Sequence, residues 1–261
     1  MADAAVALDA RTRDGVIAIA HAAAAAILDV YAGAFDVDRK ADASPVTAAD
    51  LAAHHVIVDG LRALTPDIPI VSEESAVVVP AGQRRAWTRM WLVDPLDGTR
   101  EFVNRNGEFT VNVALIEDGA PVLGAVLAPA LGRLFLGAAG IGAFLEEDGK
   151  RRPIHCRKPP AAGLTVVASR SHGDAAALDA FLAGRRVAAL ANTGSSLKLC
   201  LIAAGEADLY PRLGRTMEWD TAAAHAVLAA AGGSVRTLAG EPLRYGKAGL
   251  ENPHFVASGL D

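Results

Sequence analysis

Two carboxylates, Asp94 and Asp97, stand three residues apart at the end of the apolar run Met90 to Val93, and Gly98 and Thr99 follow at once. That spacing suits a divalent cation and a phosphate. An apolar run ending in an acid reads as a buried strand with Asp94 at its carboxyl end, where open α/β sheets place ligands. Pro95 fixes its own φ and pushes Asp94 towards extended backbone, so the chain can turn and bring both carboxylates to one ion. Mg²⁺ takes oxygen ligands octahedrally at about 2.0–2.1 Å and uses one or two carboxylates with waters and substrate phosphate. Gly98 admits close backbone approach, and its N–H with that of Thr99, opening a helix, would face an anion. The bland alternative is a turn whose Asp97 caps a helix, but that needs only one carboxylate.

Other acids lie where elements begin or end. Glu73 and Glu74 leave the short strand Ile68 to Val71, a position equally suited to a solvated turn. Asp50 follows Thr47 by three residues, resembling a capping box with Asp in place of Glu. Asp220 sits where the N-cap of a helix over Ala222 to Ala231 belongs, and a carboxylate there stabilises the helix without any catalytic role.

The elements that must position these groups follow from periodicity. Ala4 to Ala32 reads as one alanine-rich helix with Val16, Ile19, Ala23, Ala26, Ile27 and Val30 on one stripe, followed by a polar link from Phe35 to Ala43. Ala76 to Arg89 reads as an irregular excursion. Phe109 to Ile116 and Val122 to Leu127 are strands joined by the hairpin signal Glu117-Asp118-Gly119, and Leu131 to Leu136 and Gly142 to Leu145 continue an antiparallel meander past a second Asp-Gly turn at Asp148. The glycines between Gly137 and Gly142 miss the dinucleotide spacing. The polar, proline-containing segment Lys150 to Gly163 divides the chain into halves, 1–150 and 151–261. Beyond it strands and helices alternate: Leu164 to Ala168, Asp174 to Leu182, Val187 to Ala191, Leu197 to Ala204, Asp208 to Arg212, the helix after Asp220, and strands over Ser234 to Leu238 and His254 to Ser258.

A chain of 261 residues, 52% hydrophobic, is long enough for one large or two medium domains. Its net charge of −5 argues against a general nucleic-acid surface, so an anionic ligand must be drawn by local charge or bound metal. Cys156 and Cys200 are far apart and lack metal-ligand spacing, which points to a reducing cytosol. The acidic N-terminus and the short apolar run Val16 to Leu28, broken by His21, predict neither signal peptide nor membrane span. His54 and His55, neighbours on one helix, make a poor chelate, and His155 beside Cys156 reads as structural.

Taken together, Glu73-Glu74, the run Asp94-Pro95-Leu96-Asp97-Gly98-Thr99 and Trp219-Asp220 resemble the Mg²⁺-dependent, lithium-sensitive phosphatases that include inositol monophosphatase and fructose-1,6-bisphosphatase. Asn104 to Asn112, Ser169-Arg170-Ser171-His172, Gly194 to Lys198 and Leu209 to Arg212 are similar to that family's 3'(2'),5'-bisphosphate nucleotidase branch, with coverage from about Lys40 to the end. The resemblance implies an α+β fold, a layered αβαβα sandwich with an antiparallel sheet in the first half and a mixed sheet in the second. It implies two or three Mg²⁺ ions held by Glu73, Asp94, the carbonyl of Leu96, Asp97 and Asp220. Asp50, Glu73 and Thr99 would orient or deprotonate the attacking water. Gly98, Thr99, His172, Ser195, Lys198, Arg212 and Asp220 would bind substrate, Lys198 and Arg212 neutralising a 5'-phosphate. The implied reaction removes the 3'-phosphate of adenosine 3',5'-bisphosphate, or of its sulfated form, in sulfate assimilation. The partner is a small nucleotide and not a nucleic acid, and the state is monomer or homodimer. The location is cytoplasmic, either free or peripheral on the inner membrane. Two alternatives stand beside this: inositol-phosphate or fructose-bisphosphate hydrolysis at the same site, and a non-catalytic sensor of the bisphosphate.

Overall fold

The computed structural model describes residues 9–33, 37–39, 45–84, 86–169 and 175–260. The first helix, α1 (Ala10–Ala32), starts behind Asp9, whose side chain accepts from Thr12 N at 2.7 Å. Its apolar stripe is wider than the sequence suggested: Val16, Ile17, Ala20, Ala23, Ala24 and Ile27 are buried. By length and composition the helix could cross a bilayer, and a third of its apolar window is buried inside the protein. It lies along α2 (Ala48–Leu64). Two glycines permit that approach, since a Cβ on Gly15 would sit 2.7 Å from Leu64 Cδ1 and one on Gly60 2.7 Å from Ile19 Cγ1. Between the two helices, the short strands β1 (Val37–Arg39) and β2 (Pro45–Thr47) pair antiparallel.

Seven strands form the first sheet in the order β3 (Ile70–Ser72), β4 (Arg89–Asp97), β5 (Thr110–Glu117), β6 (Ala120–Ala128), β7 (Arg133–Ala138), β8 (Gly142–Glu147) and β9 (Lys150–Ile154). All neighbours are antiparallel except β3 and β4. The stretch between β3 and β4, expected to be irregular, holds a 3-10 helix (Glu73–Val78) and the short α3 (Ala81–Arg84). A second short helix, α4 (Thr99–Val103), leaves β4. The strand β9 was read as part of the dividing segment. It is polar because it is an edge strand, with Lys150 to Pro153 exposed, and an edge tolerates proline.

The second sheet is mixed: β11 (Val187–Thr193), β10 (Leu164–Ser169) and β12 (Leu209–Arg212) run parallel, and β12, β14 (Phe255–Ser258) and β13 (Ser234–Thr237) antiparallel. Three helices belong to it: α5 (Ala175–Leu182), α6 (Leu197–Ala203) and α7 (Glu218–Ala230).

Strand alternation sorts the core into layers. On β5, Val111, Val113 and Leu115 point into the cluster with α1 and α2, while Ala114 and Ile116 point into the cluster with α6 and α7. The layers are therefore α1 and α2, the first sheet, α6 and α7, and the second sheet, with α5 outside the two core clusters and none of its residues buried. The expected α+β sandwich with its antiparallel and mixed sheets is the one observed. The helix α7 meets the first sheet over a glycine pair, Gly124 opposite Gly137. A Cβ on either would strike α7 backbone at Ala223 or Val227. Close seating of α7 matters because its first turn carries Asp220.

Candidate active site

The strand β4 does not stop at Asp94 as the sequence suggested. It continues to Asp97, pairing Asp94 with Asn112 and Asp97 with Thr110, with a shift of register between. Pro95 has no N–H to give the ladder, and Leu96 N donates to Asp94 Oδ1 at 3.0 Å. This irregularity lets two acids on one strand line the same cavity. Gly98 follows at φ 88, left-handed backbone that glycine adopts freely, and caps α4. A Cβ there would also press on the carbonyl of Glu108 at 3.1 Å.

Asp50 is buried in the first turn of α2, and its Oδ2 accepts from both N and Oγ1 of Thr47 at 2.7 Å, completing the expected capping box. Its other oxygen, Oδ1, lies 3.4 Å from Thr99 Oγ1, which is equally far from the carbonyl of Leu96. Glu73 directly follows β3. Asp220 is not the N-cap of its helix. It is the third helical residue of α7, and its Oδ2 reaches back to the N–H of the cap, Met217, at 2.8 Å.

A cavity of about 790 Å³ gathers these groups: Glu73, Asp94, Leu96, Asp97, Gly98, Thr99 and Asp220 all line it. So do Ser195, Lys198 and Arg212. Asp50 lies behind it, reaching it through Thr99. Burial pushes the Asp97 carboxyl up to about 6 against the pull of Lys198, with Glu73 and Glu101 adding repulsion. Burial pushes Asp220 up to about 8, and Asp97 and Glu73 push it further than its bond from Met217 restrains it. Burial also brings Lys198 down to about 8, opposed by Asp97. Among the described residues no three acid, histidine or cysteine groups already converge as a metal-binding cluster. An all-oxygen donor set, buried and mutually repelled, fits a hard cation that keeps water or phosphate oxygens in its shell.

The basic groups come from the second half. Lys198, buried on α6, donates to the carbonyls of Thr193 at 3.2 Å and Ser195 at 2.5 Å, and its ammonium lies 5.4 Å from the centre of the Tyr210 ring. Arg212, at the end of β12, donates through Nη2 to the carbonyl of Arg215 at 2.6 Å. The turn holding Ser195, itself left-handed at φ 49, is pinned on its other side: Gly194 N donates to Glu108 Oε2 at 2.7 Å, and a Cβ on Gly194 would lie 2.7 Å from Glu101 Cγ.

Residues 10–258 match the model of the inositol monophosphatase family. The chain belongs to the inositol monophosphatase family. It is 52% identical to the 3'(2'),5'-bisphosphate nucleotidase CysQ of Escherichia coli K12, over 94% of this chain and 98% of that one. Among solved structures, CysQ from Bacteroides thetaiotaomicron superposes with a TM-score of 0.83 at 39% identity, covering 95% of this chain and 97% of that one. The inositol monophosphatase from Anabaena superposes with a TM-score of 0.75 at 27% identity, covering 95% and 90%.

Membership in that family places the phosphatase chemistry, and the structure adds groups to the site to which the sequence had assigned no role. Glu74, Glu101, Tyr210, Arg215 and Trp219 also line the cavity. Ser196 lines it as well, and Thr110 and Asn112 are buried beside it. The signal for Thr110 and Asn112 was present: two polar residues two apart on an otherwise apolar strand share one face. His172, with Arg170 and Ser171, lies outside the described residues. His54 is half-buried, its Nδ1 2.8 Å from Ser72 Oγ, and burial lowers its affinity for a proton. Cys156 and Cys200 are free and buried, and burial raises Cys156 to about 11, so neither is a nucleophile.

Proposed function

We propose that this protein is a 3'(2'),5'-bisphosphate nucleotidase that removes the 3'-phosphate of adenosine 3',5'-bisphosphate, giving AMP and phosphate. As an inositol monophosphatase family member it is a metal-dependent phosphatase. The single observation that carries the nucleotide reading is that the acids and the pair Lys198 and Arg212 line one cavity, whose volume of about 790 Å³ lies in the range of small-molecule sites.

In this reading Glu73, Asp94, the Leu96 carbonyl, Asp97 and Asp220 hold Mg²⁺, with two or three ions per site. When bound, such cations supply Lewis acidity and neutralise charge on the transferring phosphoryl group. The remaining work falls to the chain's own residues. Asp50, fixed by Thr47, accepts the Thr99 proton and turns the Thr99 oxygen's lone pairs towards the attacking water. Glu73 orients that water from the other side of the acid set. The water oxygen bonds to phosphorus as the bond from phosphorus to the ribose 3'-oxygen breaks; one proton of that water ends on the 3'-oxygen, giving the ribose hydroxyl, and the other stays with the released phosphate. The N–H groups of Gly98 and Thr99 face the scissile phosphate, while Lys198 and Arg212 balance the 5'-phosphate, with Ser195 beside them. His172 is assigned to the nucleoside by resemblance. Residues 1–150 and 151–261 are two halves that meet at this cavity, with the edge strand β9 carrying the first sheet on to Ile154, and the setting is the cytoplasm.

The test is phosphate release with Mg²⁺ from adenosine 3',5'-bisphosphate, inositol 1-phosphate and fructose 1,6-bisphosphate. The nucleotide is expected to be preferred by a wide margin in kcat/KM. Equal or better turnover of inositol 1-phosphate would overturn the assignment.

A further inference from the structure

Behind the acid set lies a chain of buried polar side chains with none of the roles above. Thr110 and Asn112 sit two residues apart on β5, on the face turned towards α6 and α7, and Ser196 caps α6 from the other half of the protein. All three are at most 2% exposed. Buried polar groups of this kind are costly unless fully bonded. The bonds are there: Thr110 Oγ1 is 3.0 Å from Ser196 Oγ, Ser196 Oγ donates to Asn112 Oδ1 at 2.8 Å, and Asn112 Nδ2 faces Asp97 Oδ2 at 3.5 Å. Since the Ser196 hydroxyl gives its proton to Asn112, it must receive from Thr110. The donors thus run one way, Thr110 to Ser196 to Asn112 to Asp97. Each bond polarises the next.

The relay passes from β5 to Ser196 and back, and so bridges two parts of the site. One side is opposite the acids, because Thr110 and Asn112 are the cross-strand partners of Asp97 and Asp94. The other is the turn that presents the basic group: Ser196 follows the left-handed Ser195, and Lys198 is tied to the carbonyls of Thr193 and Ser195. The link crosses 84 to 86 residues of sequence and joins the first sheet to the second half.

We propose that Thr110, Asn112 and Ser196 are positioning residues that set the register between the acid set and the Lys198 turn, and so determine the preference for a substrate bearing two phosphates. This rests on the nucleotidase reading. Asp97 is only weakly held by Asn112 and keeps the Ser196 N–H as a donor when the hydroxyl is removed. The turn keeps the bond from Gly194 N to Glu108, but its side-chain tie to β5 runs through Ser196 Oγ, to Thr110 and Asn112. A substrate lacking the 5'-phosphate touches the acid set alone and is indifferent to small movements of the turn.

The experiment compares adenosine 3',5'-bisphosphate with adenosine 3'-monophosphate, in the full chain with Mg²⁺, for wild type, Ser196→Ala, Thr110→Val and Thr110→Ser. Wild type is expected to favour the bisphosphate. In Ser196→Ala and Thr110→Val that preference, as a ratio of kcat/KM values, should fall at least ~10-fold through KM for the bisphosphate, with kcat within about 3-fold. Thr110→Ser, which keeps the hydroxyl, should retain the wild-type ratio. If Ser196→Ala does not fold, Thr110→Val with its Ser rescue decides alone. Equal losses on both substrates, or a Thr110→Ser protein as impaired as Thr110→Val, would mean a merely structural role and overturn the inference. A wild type that hydrolyses neither nucleotide overturns the nucleotidase reading itself, a result distinct from a shifted ratio.

Discussion

Thr99 Oγ1 stands 3.4 Å from Oδ1 of Asp50, and the other oxygen of Asp50 is fully engaged by Thr47. A helix cap and a proposed catalytic contact therefore share one carboxylate, which explains how a capping box can also serve chemistry: the cap fixes the oxygen that Thr99 needs. Thr99→Val removes the proton that Asp50 accepts. It should lower kcat by about 10²–10⁴-fold. Because the contact is long and only partly buried, stability should change by less than about 1 kcal/mol. Steady-state kinetics with a thermal melt checks both, and a Thr99→Val enzyme with wild-type kcat removes Thr99 from the mechanism.

Lys198 spends its hydrogen bonds on the backbone of its own turn and still bears on the cavity. Lys198→Ala should raise KM for adenosine 3',5'-bisphosphate by more than ~10-fold while Mg²⁺ binding is retained. Calorimetric Mg²⁺ titration beside the kinetics separates the two effects. Loss of Mg²⁺ binding would place Lys198 with the acids instead.

Gly124 and Gly137 lie against the backbone of α7, where an added Cβ has no room. Backbone cannot yield as a side chain tip can. Gly137→Ala should cost about 1–3 kcal/mol of stability. It should also depress kcat at temperatures where the variant is folded, since α7 carries Asp220 in its first turn. Melting curves and activity at low temperature test this, and an unchanged melting temperature would contradict the packing account.

The buried imidazole of His225, bonded through Nδ1 to Tyr245 Oη at 2.9 Å, is pushed down to about 4 by burial, with Arg244 adding repulsion. Its folded value lies below its unfolded one, about 6.5. The unfolded chain therefore binds the extra proton between those values. Stability from this group is constant above about pH 6.5, falls as pH drops towards 4, and falls no further below. The full loss is on the order of 3 kcal/mol. Urea melts from pH 7 to 4 should show a steeper loss for wild type than for His225→Gln. Parallel curves would show that His225 titrates normally.

Much of this was legible in the sequence. Asp94, Asp97, Gly98 and Thr99 are contiguous, so their chemistry shows in their spacing, and the Asp-Gly turns at Asp118 and Asp148 marked a meander that the structure contains. What escaped was set by tertiary pairing. Asp94 looked like a strand end because Pro95 usually stops a ladder, yet the strand absorbs it through a register shift. Asp220 looked like an N-cap, whereas the chain around Asn252, which donates to the Met217 carbonyl at 2.8 Å, starts the helix earlier. The strand Lys150–Ile154 looked like a linker because one edge of it faces solvent. The Thr110, Asn112 and Ser196 relay joins residues too distant in sequence for any local pattern to link.

In the proposed mechanism the acids of this cavity hold the divalent cations on which turnover depends. Phosphate release from adenosine 3',5'-bisphosphate, followed as Mg²⁺ is titrated into chelator-stripped wild type and Asp220→Asn protein, tests it most directly. Without the ion no phosphate should be released; wild type should recover saturably, and Asp220→Asn should need far more Mg²⁺ or never recover. Release from stripped wild type, or superimposable titrations for the two proteins, would contradict it.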